Sequence, residues 1–312
     1  MRKMLAAIAA LTLITAVGGA AQAAPTEVQP IKRSTVTASR VVETYTYGPD
    51  ADQTIDVTYD PSHADGRAVV GYHGGSGVAG SKANLAKAAT TLADAGFVVF
   101  NVEYRKTSSY ANNPGVHWAQ QKADALAALD WARANAAQFG ADPARFATYG
   151  FSWGGLLAAT VGLEGNGSAK VNAIVSASGV LQPHRVADVA MSQDGVGHGG
   201  DMPSDANRTL YVWEGVAMEC PRLDWTDCNG RWTDFLPETH ISSDDPPVMM
   251  FQGTADPAVP PATATAFGYW LSQKGVANSV TECVNWTHTE ACAFDAGWRQ
   301  QKLIDFLKAK TA

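Results

Sequence analysis

The sequence lacks several features that would assign it to common functional classes. No cluster of basic residues occurs, and 23 basic residues stand against 30 acidic ones, a net charge of −7 with neutral histidines. We therefore expect no nucleic acid partner. The chain also has no Cys-x-x-Cys or His-Glu-x-x-His pattern, no internal repeat and no low-complexity block. Neither a zinc motif nor a repeat architecture is indicated.

Long apolar runs are likewise absent except at the amino terminus. Arg2 and Lys3 precede an apolar segment, Leu5 to Val17, that is too short to span a bilayer comfortably. The small-x-small pattern AQA follows, so we interpret residues 1–23 as a cleavable signal peptide, with an uncleaved membrane anchor as the alternative. The short basic start and the Ala-rich run are typical of bacteria. We expect a secreted or periplasmic protein without a stable membrane span.

Cysteine is scarce, with four residues in the whole chain. An exported chain meets an oxidising compartment, so these cysteines are expected to form disulfides and no metal site. Four cysteines allow three pairings. We favour the two short-loop pairs, Cys220 with Cys228 and Cys283 with Cys292.

The rest of the chain has the alternation of an α/β protein. After a loose polar lead-in over residues 24–39, residues 40–312 alternate strand-like and helix-like segments. The first two strand-like segments, "RVVETYTY" and "TIDVTYDP", alternate apolar and polar residues and predict an antiparallel pair. The later ones are continuous apolar runs, which predict a parallel sheet with helices on both faces. Residues 182–245 are rich in Asp, Gly and Pro, and we expect a cap-like insertion over the site.

One serine lies at a strand-to-helix junction. The sequence "RFATYGFSWGG" runs from an apolar strand directly into a helix, with Ser152 at the turn. Gly150 and Gly154 flank it where a side chain would collide with the neighbouring strand and helix. Such a turn exposes the hydroxyl above the sheet and directs the amino terminus of the helix at whatever the serine attacks. We interpret Ser152 as a nucleophile; the alternative is a glycine-rich helix start with an incidental serine.

A serine nucleophile needs a base and an orienting carboxylate. In such sheets the chain order is Ser, then Asp or Glu, then His. Asp256 lies just past the apolar strand "VMMFQG", and His288, the one histidine after it, lies just past the next strand. Two consecutive strand ends thus present an acid and a base. Glu282 and Glu290 are alternative acids, but one lies within the strand and the other is close to His288 in sequence.

The segment "HGGSG" at residues 73–77 ends another apolar strand, "RAVVGY". Its glycines let the backbone approach a substrate closely. We expect the N–H groups of Gly75 or Ser76, together with that of Trp153, to stabilise an oxyanion. His73 itself is interpreted as a brace for this loop and not as the base.

Together, "HGGSG", "VEYR", "WARANAAQFGADPARFATYGFSWGG", "PPVMMFQGTADPAVP" and "TH" resemble the esterase/lipase group of the α/β-hydrolase superfamily. The resemblance covers about residues 40–310, without the insertion. It implies an α/β-hydrolase fold in which Ser152, Asp256 and His288 form the catalytic triad. This chemistry needs no metal and no organic cofactor.

The resemblance also places Gly75, Ser76 and Trp153 at the oxyanion positions, with two departures. Ser76 replaces the third glycine of the His-Gly-Gly-Gly type of loop. Trp153 stands where smaller residues are common, which predicts an indole lining the pocket beside the nucleophile.

The predicted function is therefore a secreted serine hydrolase that cleaves carboxylic esters through an acyl-enzyme on Ser152. The polar, acidic insertion favours soluble small-molecule esters over an oil surface, including aryl or carbohydrate esters stacked on an indole. Alternatively, the tryptophans of the insertion belong to the core and do not contact the substrate. A serine peptidase or aminoacyl hydrolase of the same fold, a lipase, and a non-catalytic binding protein are the alternative functions. No oligomeric state is predicted.

Overall fold

The computed structural model describes residues 40–107, 116–164, 170–183, 231–295 and 297–312, together with the backbone of Lys32–Arg33. The predicted signal peptide, most of the lead-in and residues 184–230 of the insertion lie outside this part of the chain, and so do Cys220 and Cys228.

The described strands form one twisted sheet. Their bounds are β1 Lys32–Arg33, β2 Val41–Thr46, β3 Thr54–Tyr59, β4 Gly66–Tyr72, β5 Val98–Val102, β6 Ala141–Phe151, β7 Ala173–Ala177, β8 Val248–Gly253 and β9 Asn278–Cys283. Their order across the sheet is β1-β2-β3-β5-β4-β6-β7-β8-β9. The pairs β1-β2, β2-β3 and β3-β5 are antiparallel. The pairs β5-β4, β4-β6, β6-β7, β7-β8 and β8-β9 are parallel. The predicted sheet with its antiparallel opening pair is confirmed.

Helices connect the parallel strands. The described α-helices are α1 Ala86–Asp94, α2 Trp118–Asn135, α3 Trp153–Leu163, α4 Arg231–Phe235, α5 Ala262–Gln273 and α6 Trp298–Lys310. None of them combines the length and the apolar character that crossing a bilayer requires. Helix α2 continues as a 3₁₀ turn over Ala136–Phe139. The turn stops at Gly140, because a φ of 79° suits a glycine at the end of a helix.

The continuous apolar runs are explained by burial on both faces of the sheet. In β4, the side chains of Ala68, Val70 and Tyr72 enter the core beneath α2, α3 and α5, and that of Val69 enters the opposite core beneath α1 and α6. Successive side chains of a strand point to opposite faces, so a strand covered on both sides has no polar face. Polar chemistry is therefore concentrated where the parallel strands end.

Candidate active site

Ser152 occupies a strained turn between β6 and α3. Its φ of 56° and ψ of −121° are unusual for a residue with a side chain. A Cβ at Gly150 would lie 1.9 Å from the carbonyl oxygen of Gly154, and a Cβ at Gly154 would lie 1.9 Å from that of Tyr72. Both glycines are thus required by close backbone contact, which is the physical basis of the expected turn.

The structure brings Ser152, His288 and Asp256 together. Nε2 of His288 lies 2.9 Å from Oγ of Ser152, and Nδ1 of the same ring lies 2.8 Å from Oδ2 of Asp256. The serine follows β6, the aspartate follows β8 and the histidine follows β9, so three strand ends supply the three groups. With Nδ1–H donating to the carboxylate, Nε2 is left to accept the hydroxyl proton.

Four donors fix the carboxylate of Asp256, whose side chain is fully buried. Its Oδ1 accepts hydrogen bonds from the backbone N–H groups of Ala258 and Val259, at 2.9 and 2.8 Å. Its Oδ2 accepts one from Nε2 of Gln252, at 3.1 Å, besides the one from His288. Sequence reasoning missed Gln252, although a polar residue within the apolar run "VMMFQG" is a visible signal.

The glycine loop, residues 73–80, packs against the serine from the end of β4. A Cβ at Gly74 would lie 3.0 Å from Cβ of Ser152, so the backbone approaches the nucleophile closely. Gly75 and Ser76 both have positive φ, 125° and 53°. In the described part of the chain, their N–H groups donate to no backbone acceptor. The N–H of Trp153 starts α3 and likewise has no partner within the helix.

His73 braces this loop, as the sequence predicts. Its fully buried ring stacks on Tyr104 with the ring centres 4.3 Å apart, and its Nδ1 lies 2.7 Å from the carbonyl oxygen of Gly74. The hydroxyl of Tyr104 donates to the carbonyl oxygen of His73, at 2.8 Å. The imidazole is thus engaged beneath the loop and does not contact Ser152.

A buried carboxylate beneath the loop completes the brace. Oε1 of Glu103 lies 3.4 Å from Nε2 of His73 and accepts a hydrogen bond from Lys106, and Oε2 accepts one from the backbone N–H of Lys82. Burial acts to raise the pKa of Glu103, but the contact with His73 and the hydrogen bonds from Lys106 and Lys82 outweigh it and lower the pKa to about 2. Glu103 is therefore ionised at neutral pH, and sequence reasoning gave it no role.

The prediction that the indole of Trp153 lines the pocket is wrong. The ring is fully buried, its Nε1 donates to Oε1 of Gln121 at 3.0 Å, and it packs against Trp118 and Phe235 with ring centres 6.0 and 5.5 Å away. The first side chain of α3 points into the core between α2 and α4, because burial of the large ring stabilises that orientation. Only the backbone of Trp153 faces the nucleophile.

A cavity of about 340 Å³ opens beside the imidazole. Its lining includes Phe151, His288, Thr289, Glu290, Asn84 and glycines of the glycine loop. The histidine loop, residues 284–291, forms one wall and is closed at its base by a disulfide between Cys283 and Cys292. This is one of the two favoured cysteine pairs.

Within the described residues, one group of three side chains has metal-ligand geometry: Glu164, Asp234 and His240. Nζ of Lys122 lies 2.7 Å from Oε1 of Glu164 and 2.5 Å from Oδ1 of Asp234. The protein thus supplies its own cation between the two carboxylates. The cluster joins α4 to α2 and to the end of α3.

The sheet order and the turn at Ser152 are those of the α/β-hydrolase fold. The profile of the BD-FAE family matches residues 55–271, and the chain belongs to that family.

Curated relatives and solved structures agree with this assignment. Esterase LipQ of Mycobacterium tuberculosis is 26% identical over 257 residues, which are 80% of this chain and 56% of that protein. Esterase LipC of the same organism is 26% identical over 248 residues, 71% of this chain and 52% of the relative. The chain therefore spans about half the length of the curated relatives it matches.

Two solved structures are similar over most of the chain. A truncated carbohydrate esterase from gut microbiota has a TM-score of 0.65 at 20% identity, covering 92% of this chain and 99% of that one, and it shows the fold. Esterase 2 of Thermogutta terrifontis, phosphonylated by sarin, has a TM-score of 0.61 at 25% identity, covering 85% and 92% of the two chains.

Proposed function

We propose that the protein is a serine hydrolase that cleaves carboxylic esters through an acyl-enzyme on Ser152. The observation that carries the proposal is the chain of two hydrogen bonds, 2.9 and 2.8 Å long, from Ser152 through His288 to Asp256. The two curated relatives are named esterases, and the Thermogutta terrifontis esterase forms an adduct with an organophosphorus compound.

The geometry supports the following mechanism. Nε2 of His288 takes the hydroxyl proton while Oγ of Ser152 attacks the acyl carbon. The N–H groups of Gly75 or Ser76 and of Trp153 stabilise the negative oxygen that develops. His288 then gives its proton to the leaving alcohol, and Asp256 stabilises the charged imidazole throughout. Water repeats the sequence on the acyl-enzyme.

The proposed substrates are soluble small-molecule esters, including aryl and carbohydrate esters, outside the cell or in the periplasm. The acidic composition of residues 182–245, the proposed cap, supports this choice over an oil surface. An enzyme named a carbohydrate esterase shares the fold. Export rests on the signal-like residues 1–23. Stacking of the substrate on the indole of Trp153 is excluded by the burial of that ring.

Replacement of Ser152 tests the proposal. Ser152→Ala removes the nucleophile and is expected to lower kcat by about 10⁴-fold or more, with the fold retained. Steady-state hydrolysis of esters of increasing acyl length, with aminoacyl amides alongside, separates an esterase from a lipase and a peptidase. Ser62→Ala, in the exposed turn after β3, is the matched control and should behave as the wild type. A near-normal rate in Ser152→Ala would remove this residue from the mechanism.

A further inference from the structure

The cavity beside His288 contains an acid that the proposed mechanism does not use. Glu290 lies in the histidine loop, two residues after His288, and its side chain lines the cavity. Its Oε2 accepts a hydrogen bond from the hydroxyl of Tyr149, at 3.2 Å. Among the described residues no lysine or arginine forms an ion pair with it. A half-buried carboxylate without a paired cation is costly, so the neutral form of Glu290 is favoured and its carboxyl oxygens keep hydrogen-bonding capacity for a ligand.

Glu290 changes its protonation near neutral pH. Burial raises the pKa of its carboxyl group to about 7, while the hydrogen bond from Tyr149 and the more distant charge of Lys87 act in the opposite direction. The groups that face it are Tyr149 on β6, Lys87 on α1 and His288 on its own loop. Burial raises the pKa of Tyr149 well above the ordinary value, so its hydroxyl remains a donor.

The other walls of the cavity suit a hydroxylated alkyl group. Asn84 accepts a hydrogen bond at Oδ1 from the backbone N–H of Ser81, at 2.7 Å, which leaves its amide N–H₂ for a ligand. The ring of Phe151, whose centre lies 5.0 Å from that of His288, offers an apolar face. A hydroxyl group both donates and accepts, so a carboxylate and an amide in one cavity match it.

The alcohol part of an ester belongs on this side of the site. His288 must pass its proton to the leaving oxygen, so the alcohol leaves next to the imidazole. The imidazole is part of the cavity wall that also carries Glu290.

We propose that Glu290 is a specificity-determining residue, which accepts a hydrogen bond from a hydroxyl group on the alcohol part of the ester and disfavours an alcohol part that carries a carboxylate. This inference rests on the proposed function and adds the chemical class of the alcohol. The carboxyl group of Glu290 selects between substrates and takes no part in bond breaking.

Three butyrate esters with matched alcohol parts test the inference: glycerol monobutyrate, propyl butyrate and butyryloxypropanoate. The quantity compared is kcat/KM of each polar ester divided by that of propyl butyrate, from about pH 6 to about pH 9. Effects of pH that the three esters share cancel in these ratios.

In Glu290→Gln at high pH, the ratio for glycerol monobutyrate should fall about fivefold, because a hydrogen bond to a charged acceptor is stronger than one to an amide. The ratio for butyryloxypropanoate should rise about tenfold, because the like charge of Glu290 is gone. In the wild type the ratio for butyryloxypropanoate should fall as the pH rises through neutrality, and in Glu290→Gln it should not.

Tyr149→Phe keeps the acid but removes the hydrogen bond that lowers the pKa of Glu290. The pH at which the ratio for butyryloxypropanoate falls should therefore move upward. If Glu290 merely held Tyr149 in place, Tyr149→Phe and Glu290→Gln would give the same ratios at every pH, and the inference would be overturned.

Two further outcomes would overturn it. One is ratios in Glu290→Gln that equal those of the wild type. The other is a kcat/KM that depends on Glu290 for propyl hydroxybutyrate, which carries its hydroxyl on the acyl part, and not for glycerol monobutyrate. Failure of the proposed function has a separate signature, because wild-type protein would then hydrolyse propyl butyrate no faster than Ser152→Ala.

Discussion

The glycine loop and the histidine loop both border Ser152, yet different interactions hold them in place. The glycine loop follows β4, which has β5 and β6 on its two sides. Buried side chains at the end of β5, Glu103 and Tyr104, hold it through His73. The histidine loop follows β9, the last strand of the described sheet, and is closed by the disulfide between Cys283 and Cys292.

Position in the sheet explains this difference. The end of a central strand has neighbours on both sides, so side chains from the next strand can support the loop that follows it. The end of an edge strand has a neighbour on one side only, and for β9 this neighbour is β8. In the segment after β8, the backbone N–H of Ala255 donates a 3.0 Å hydrogen bond to the carbonyl oxygen of Trp286 in the histidine loop. A covalent crosslink supplies the restraint that the missing neighbour would otherwise give. The support of the glycine loop should therefore be sensitive to low pH, and the support of the histidine loop should be sensitive to reduction.

Breaking the crosslink should have the larger effect on turnover. The double variant Cys283→Ser with Cys292→Ser frees the loop that carries His288, and kcat should fall about tenfold because the imidazole is less well positioned. Stability should fall by about 2–4 kcal/mol. Activity assays together with far-ultraviolet circular dichroism measure the two effects separately, and the loss of activity should occur while the helices remain intact.

The predicted pair of Cys220 with Cys228 supplies the control for that experiment. Cys220→Ser with Cys228→Ser replaces the same number of cysteines outside the histidine loop and should leave kcat much closer to that of the wild type. If activity and helix signal decline together in the Cys283 and Cys292 variant, the crosslink stabilises the whole fold and does not position the histidine.

Breaking the noncovalent brace should have the smaller effect on turnover, with a dependence on pH. Glu103→Gln removes the charge beneath the glycine loop, and kcat should fall a few-fold with little change in KM. The pKa of Glu103 is lowered from 4.5 to about 2 in the folded protein, so its stabilising contribution is present above about pH 5 and is lost as the pH falls toward 2. The wild type should be more stable than the variant by about 3 kcal/mol at neutral pH.

Denaturant unfolding at several pH values measures that difference. Glu282→Gln, an exposed acid on β9, is the matched control and should change neither stability nor activity. A difference between wild type and Glu103→Gln that stays constant from neutral pH down to pH near 2 would show that the charge of Glu103 does not support the loop.

The sequence was sufficient for features that depend on local pattern. The apolar runs predicted the parallel strands. The glycines around Ser152 and at residues 73–77 predicted that the backbone comes close to its neighbours at the serine turn and at the glycine loop. Chain order selected Asp256 and His288, which the structure places within hydrogen-bonding distance of each other.

Features that depend on contacts between distant segments were not predicted. The orientation of Trp153 depends on space between α2 and α4, and the roles of Glu103 and Gln252 depend on which strands are neighbours. The sequence indicates Glu290 only as an alternative acid for His288, because the hydrogen bond from Tyr149 to Glu290 joins segments 141 residues apart.

The most direct measurement of the central claim is covalent labelling by a fluorophosphonate, followed by mass-spectrometric mapping of the modified peptide. A hydroxyl activated by His288 and Asp256 should take up one phosphonyl group, on Ser152, and Ser152→Ala should take up none. Labelling at another residue, or no labelling of folded wild-type protein, would contradict the account.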